Sequence, residues 1–181
     1  MAAARRRFRA DGLTATTLAA VAAEAGLARP HLYRYFEDKT ELIAAVVAAE
    51  TDEINDLRRR EIEPLASFAD QVVRALELSV ELIRGDTFWS TLISPENVPY
   101  TAYAATASPE VRSANASFWV PLLAAARRRR EVRAGLADDD VLAWLLALQF
   151  LFMERTELFP TAAEAGRYSR LFVVPALVRG R

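Results

Sequence analysis

Between positions 17 and 39 the chain gathers side chains suited to holding a polyanion and reading the bases beside it: Thr17, Arg29, Pro30, His31, Tyr33 and Lys39. Thr17 can offer a hydroxyl and neighbouring backbone N–H groups to a phosphate. Arg29 can fork onto guanine O6 and N7, Pro30 can press on a thymine methyl, and His31 can donate to a base or a phosphate. The Tyr33 hydroxyl suits a second phosphate, and the Lys39 ammonium adds a point charge beside the same strand. No base or nucleophile partner accompanies any of them, so this set recognises and does not catalyse.

Such a set works only if one helix braces on the backbone while the next lies in the major groove. The surrounding sequence predicts that arrangement. A first short helix carries Phe8 as its apolar anchor and ends at Gly12. Thr16 or Thr17 caps a second helix, in which Leu18, Val21 and Ala22 recur at helical spacing and form one buried stripe. Gly26 stands where a tight turn needs positive φ, with Leu27 expected to plug the core. The third helix is predicted over about Arg29–Tyr35, with Pro30 in its first turn and with Leu32 and Phe36 facing one small core. Asp38 and Glu41 predict a capping box for a fourth helix that ends at Pro64.

Residues 1–36 hold six arginines against Asp11 and Glu24, a net charge of +4, whereas the remainder holds 17 basic and 22 acidic side chains, a net of -5. A basic head on an acidic body suits a protein whose head meets a polyanion. A hydrophobic fraction of 52% in 181 residues is enough for a substantial core. Cysteine is absent, histidine occurs once and no metal-ligand spacing is present, so no disulfide, metal, cofactor or catalytic residue is expected and an enzyme is disfavoured. The N-terminus has no apolar leader and no long charge-free apolar stretch follows, which predicts a cytoplasmic protein without a membrane partner.

The combined landmarks Phe8, Gly12, Thr16-Thr17, Val21-Ala22, Ala25-Gly26-Leu27, Leu32-Tyr33, Tyr35-Phe36, Lys39 and Leu42 resemble the DNA-binding head of the tetracycline-repressor family of bacterial transcription regulators. The resemblance covers about the first 47 residues. It implies phosphate contacts from Thr17, Tyr33 and Lys39, base-edge contacts from Arg29, Pro30 and His31, and at position 19 a contact for which Ala19 has only a methyl group. Family members usually carry several more residues, including an aliphatic pair, before the segment matching Ala4 to Phe8. The resemblance therefore implies either a longer native N-terminus or a head with less core.

Helical patterns continue over roughly 65–84, 86–94, 96–105, 109–130, 138–159 and 162–178, with strand-like alternation scarce. The expected fold is all-α, with a helix-turn-helix domain at 1–47 and a helical sensor and dimerisation domain at 48–181. Segment 138–159 is apolar nearly all round, so a second face must be covered, which fits a homodimer reading a palindromic operator in double-stranded DNA. Phe88, Trp89, Asn97, Tyr100, Tyr103, Asn115, Phe118, Trp119 and Gln149 are candidates for an apolar cavity with few polar anchors, or for plain core. The expected function is a dimeric transcriptional repressor released from DNA by a small apolar or aromatic effector. Two alternatives stand beside it: a helical ligand-binding or interaction protein whose head no longer grips DNA, and an activator of the same fold. Arg127 to Arg130 are expected to be a solvated helix end.

Overall fold

A computed structural model describes residues 1–97, 100 and 108–179, and the regular elements among them are helices, with one isolated bridge. In order come α1 (Ala2–Ala15), α2 (Leu18–Glu24), α3 (Arg29–Leu32), α4 (Lys39–Ile62), α5 (Phe68–Arg84), α6 (Thr87–Leu92), a 3-10 turn (Pro95–Asn97), α7 (Pro109–Arg128), α8 (Asp138–Glu154), α9 (Ala162–Tyr168) and α10 (Val174–Leu177). A wider π turn over Ser169–Val173 links the last two, where the buried Ser169 hydroxyl donates to the Ala165 carbonyl at 2.7 Å. Among the described residues no helix is long and apolar enough to cross a membrane.

The helix ends follow local chemistry. Thr17 caps α2, its hydroxyl oxygen accepting from the Ala20 N–H at 3.1 Å. Gly26 takes φ +66°, which lets the Leu27 N–H reach the Ala22 carbonyl and its own N–H reach that of Ala23. That pair of bonds is a Schellman close, and it needs a residue tolerant of the left-handed region. Leu27 does not plug the core as expected: it is exposed on the turn, because its place after the close aims its side chain outward. α3 is shorter than expected, giving way to turns after Leu32. Asp38 accepts from the Glu41 N–H at 2.9 Å, while the Glu41 carboxylate reaches one residue further back than a capping box requires, to the Glu37 N–H at 2.8 Å. α8 stops at Glu154 and not at 159, since Arg155 leaves helical geometry (φ -89°, ψ 70°) and Pro160 could not have continued the ladder. Pro121, by contrast, is carried inside α7.

The chain forms two compact units. The first is Met1–Thr51 with Gly85–Ala114, and the second is Asp52–Arg84 with Asn115–Arg181. In the first, Phe8, Leu13, Leu18, Val21, Leu32, Leu42 and Ile43 are buried with Phe88 and Trp89 of α6. Phe8 and Phe88 lie 6.3 Å apart, ring to ring. Asp86 ties this unit together twice, capping the Phe88 N–H at 2.8 Å and pairing with Arg9 at 2.9 Å.

In the second unit α5 is the hub, with Phe68, Val72, Ala75, Leu76 and Val80 buried among residues of α7, α8 and α9. α9 approaches α5 closely because Ala165 and Gly166 are small: a Cβ on Gly166 would sit 1.7 Å from the Glu77 carboxylate oxygen. The turn after α7 and the C-terminal segment are joined by an antiparallel bridge between Val132 and Val178. Beside α7 and α8 the packing leaves only about 10 Å³ near Phe68, Trp119, Leu123 and Leu145, room for about one water.

Candidate nucleic-acid interface

The exposed start of α3 brings together the residues singled out from their types. Arg29, Pro30, His31 and Tyr33 are all exposed, while Leu32 between them is buried and anchors the helix. An Arg29 guanidinium N–H donates to the Tyr33 hydroxyl oxygen at 3.2 Å, and the guanidinium carbon stands 5.3 Å from the Tyr33 ring centre. The Tyr33 O–H is thereby left to donate outward, and Arg29 keeps further donors for another acceptor. His31 lies 5.4 Å from the ring of Tyr35, which is 66% exposed. Thr17 is exposed at the N-terminus of α2 and Ala19, the second residue of that helix, is half-buried.

Lys39 is engaged elsewhere. Its ammonium donates to the Leu13 and Thr14 carbonyls at 3.1 and 2.9 Å, closing the C-terminal end of α1, and stands 5.4 Å from the Tyr100 ring. A lysine at a helix C-terminus satisfies carbonyls that would otherwise lack donors and opposes the negative end of the helix dipole. One of its three N–H groups remains beyond those two bonds.

The basic surplus of the head is distributed unevenly. Arg5 pairs with Glu50 at 2.6 Å, Arg6 with Glu24 at 2.8 Å, Arg7 with Asp11 at 2.9 Å and Arg9 with Asp86 at 2.9 Å. Each α1 arginine is thus neutralised locally. Among the described residues no ion pair involves Arg29 or Arg34, so the open positive charge lies on and just after α3.

The candidate ligand residues fall in both units. Phe88 and Trp89 are buried in the first unit, their rings edge-on at 5.8 Å. Asn97 is buried there too, and its amide donates to the Thr91 carbonyl at 2.8 Å and the Ser94 hydroxyl at 3.1 Å, while Tyr100 is half-buried. Tyr103 lies outside the described residues. In the second unit Asn115, Phe118, Trp119 and Gln149 are buried, with Phe118 and Trp119 edge-on at 4.9 Å. The residue missed from sequence is Arg58, whose side chain is fully buried with its guanidinium carbon 3.9 Å from the Phe118 ring centre and 5.1 Å from that of Trp119. The signal was present: Ile54, Arg58 and Ile62 repeat at four-residue spacing, so the arginine sits on the apolar stripe of α4. Burial, reinforced by the neighbouring charge of Arg59, lowers its pKa to about 9, and it is still a cation at neutral pH. Among the described residues no cluster of three or more side chains suited to a metal ion occurs.

Comparison with known proteins follows this geometry. The family model described as bacterial regulatory proteins, tetR family, matches residues 1–46. No curated protein matches the chain. Among solved structures, the fatty acid degradation regulator FadR from Bacillus halodurans is similar with a TM-score of 0.64 and 12% identity, covering 92% of this chain and 90% of that one. The transcriptional regulator FadR from Bacillus subtilis, in complex with stearoyl-CoA, is similar with a TM-score of 0.62 and 15% identity, covering 99% and 96%. A TetR family transcription regulator from Marinobacter aquaeolei gives 0.60 and 20% identity, covering 99% and 93%. At these identities the likeness is one of fold. The first 46 residues are thus similar to the part that the model of the tetR family of bacterial regulatory proteins describes, and over the remaining residues the likeness to solved structures is one of helical fold.

Proposed function

We propose that this regulator is a homodimeric repressor that grips a palindromic operator through α3 and lets go when a small, largely apolar or aromatic ligand enters its helical body. The observation that carries the DNA-binding part is the exposed Arg29–His31–Tyr33 edge at the start of α3, where no described carboxylate pairs with Arg29, within the segment that the family model matches. Arg29 and His31 contact base edges, and Thr17 and Tyr33 contact phosphates. Lys39 adds its remaining N–H to a phosphate while holding the end of α1.

Dimerisation uses the outer faces of α8, α9 and the π turn. Leu151, Leu158, Tyr168, Leu171 and Phe172 are exposed, and a ring series leads out to them, with Phe152–Phe159 at 4.7 Å, Phe159–Tyr168 at 5.1 Å and Tyr168–Phe172 at 4.7 Å. Exposed large apolar groups grouped this way suit a partner surface, and a two-fold dimer presents two α3 helices to the two halves of a palindrome. The similar Bacillus subtilis fold in complex with stearoyl-CoA supports a body of this kind taking a ligand with a long acyl chain. The ligand acts by binding better to the body conformation whose heads no longer match the operator spacing.

Selection of sheared genomic DNA on the purified protein tests this. A palindromic site should be enriched, and Arg29→Ala with Tyr33→Phe should abolish its retention while the dimer persists in sedimentation. A folded dimer that enriches no site from the genome of its own source would favour a helical binding protein with an inactive head. Enrichment followed by transcriptional stimulation from that site would favour an activator.

A further inference from the structure

Arg58 presents a problem in charge balance inside the second unit. Its Nη1 donates to Asn55 Oδ1 at 2.9 Å, yet Nε and Nη2 are enclosed without any hydrogen-bond partner among the described residues. Among the described residues no salt bridge reaches it, and Arg59 next to it adds a like charge. The Phe118 ring gives the guanidinium a face to lie against, but a ring face does not replace hydrogen-bond acceptors. Trp119, whose ring is 5.1 Å from the same guanidinium, has its Nε1 enclosed and unpartnered as well. Three buried donors in one neighbourhood therefore lack acceptors, and one of the groups carries a positive charge. Buried cations are normally paired, and an unpaired one leaves its loss of hydration uncompensated.

The pattern of the open donors says what is missing. Nε–H and Nη2–H form one straight edge of the planar guanidinium, and that edge matches the two oxygens of a carboxylate in a bidentate pair. The walls beside it are aromatic, which suits an organic body behind the carboxylate more than a hydrated inorganic anion. We propose that Arg58 anchors the carboxylate of an organic acid through its Nε/Nη2 edge, so that the effector of this regulator is an apolar or aromatic carboxylic acid. This rests on the ligand-binding role of the body proposed above and gives it a ligand class. Because the edge is enclosed in the ligand-free chain, an acid reaches it only when the surrounding packing opens. Binding therefore selects an opened body, which is the differential affinity that release from DNA requires.

Matched acid and amide probes test the anchor: 1-naphthoate with 1-naphthamide, 4-phenylbutyrate with 4-phenylbutyramide, and decanoate with decanamide. Each is titrated calorimetrically and in thermal unfolding into the full-length protein, its Arg58→Met variant and its Arg58→Lys variant. At least one acid should stabilise the wild type and bind about tenfold or more tightly than its amide, as a charge-assisted bidentate pair implies. Arg58→Met should lose that preference while melting no lower than the wild type, since it removes an unpaired buried charge. Arg58→Lys, which keeps charge but not the fork, should retain only part of the preference.

The proposal is overturned if the wild type prefers none of the three acids, if Arg58→Met keeps the preference, or if both variants melt well below the wild type in the absence of ligand. The last result would make Arg58 a packing element satisfied by its rings. Operator retention by the ligand-free protein is measured on the same preparations. Lost acid preference with intact operator binding overturns the anchor alone. Acid binding through Arg58 without any operator overturns the repressor and leaves the anchor standing.

Discussion

Helices α1 and α3 both bring arginines to the surface of the first unit, and the fold uses them differently. On α1, Arg5, Arg6, Arg7 and Arg9 each meet a carboxylate within 2.6–2.9 Å, and two of those acids, Glu50 and Asp86, come from distant parts of the chain. On α3, Arg29 meets the hydroxyl and ring of Tyr33, and no described carboxylate pairs with it. The first helix therefore uses its charge in holding the unit together, and the third leaves its charge open. Net charge over a segment is a guide to polyanion binding only after its internal pairs are subtracted.

The largest effect that sharpens this contrast is expected at Arg5. Glu50 is 8% exposed in its ion pair, so Arg5→Ala removes a cation from beside a nearly buried carboxylate. It should lower stability by about 3 kcal/mol in thermal or denaturant unfolding, as breaking a buried pair does. A loss of DNA affinity beyond the loss of folded protein would break the distinction between the helices. Next is Arg29→Ala, expected to weaken operator binding by about 2 kcal/mol while leaving the melting temperature unchanged, the scale of one bidentate base contact. A comparable loss at every DNA sequence tested would instead make Arg29 a phosphate contact.

Smaller effects separate the two sets by salt. Arg34→Ala should reduce the slope of log K against log salt concentration by about 1, whereas Arg9→Ala should leave it unchanged and cost only about 0.5 kcal/mol of stability as an exposed pair. The same division recurs in the second unit, where Arg127 pairs with Asp138 and Arg129 with Glu131, while Arg128 and Arg130 point to solvent. Hydrogen bonds from Arg129 hold the Glu131 carboxyl below its ordinary value of 4.5, with a further bond from the Phe68 N–H, against the opposing effect of burial. A depressed carboxylate pKa contributes stability that is fully present above 4.5 and is lost as pH falls through the lower folded-state value. Glu131→Gln should flatten that part of the acid-unfolding curve, and an unchanged curve would show that the pair contributes nothing.

Most of the head could be read in advance because its signals are local. Thr17 before Leu18, Gly26 after Ala25 and Asp38 three residues before Glu41 act within a few positions, so their hydrogen bonds were foreseeable from spacing alone. Ends set by competition were harder. α8 was expected to reach 159 because its apolar run continues, but Phe159 lies beyond the helix and packs edge-on against Phe152 and Tyr168. Leu27 was apolar and next to the turn, yet the backbone close that Gly26 permits leaves it outside.

By itself, then, the order of residues determined the all-α fold, the positions of the turn and caps in the head, and the set of polar side chains gathered at α3, since each depends on periodicity or on bonds spanning a few residues. Only the tertiary structure decided which charges are spent and which stay open. Lys39 closes α1 across 25 positions, Arg9 finds Asp86 across 77, and Arg58 is folded inward against rings 60 residues away with two donors unanswered. Those outcomes turn on long-range proximity and loss of water, and neither is written in a residue's immediate neighbours.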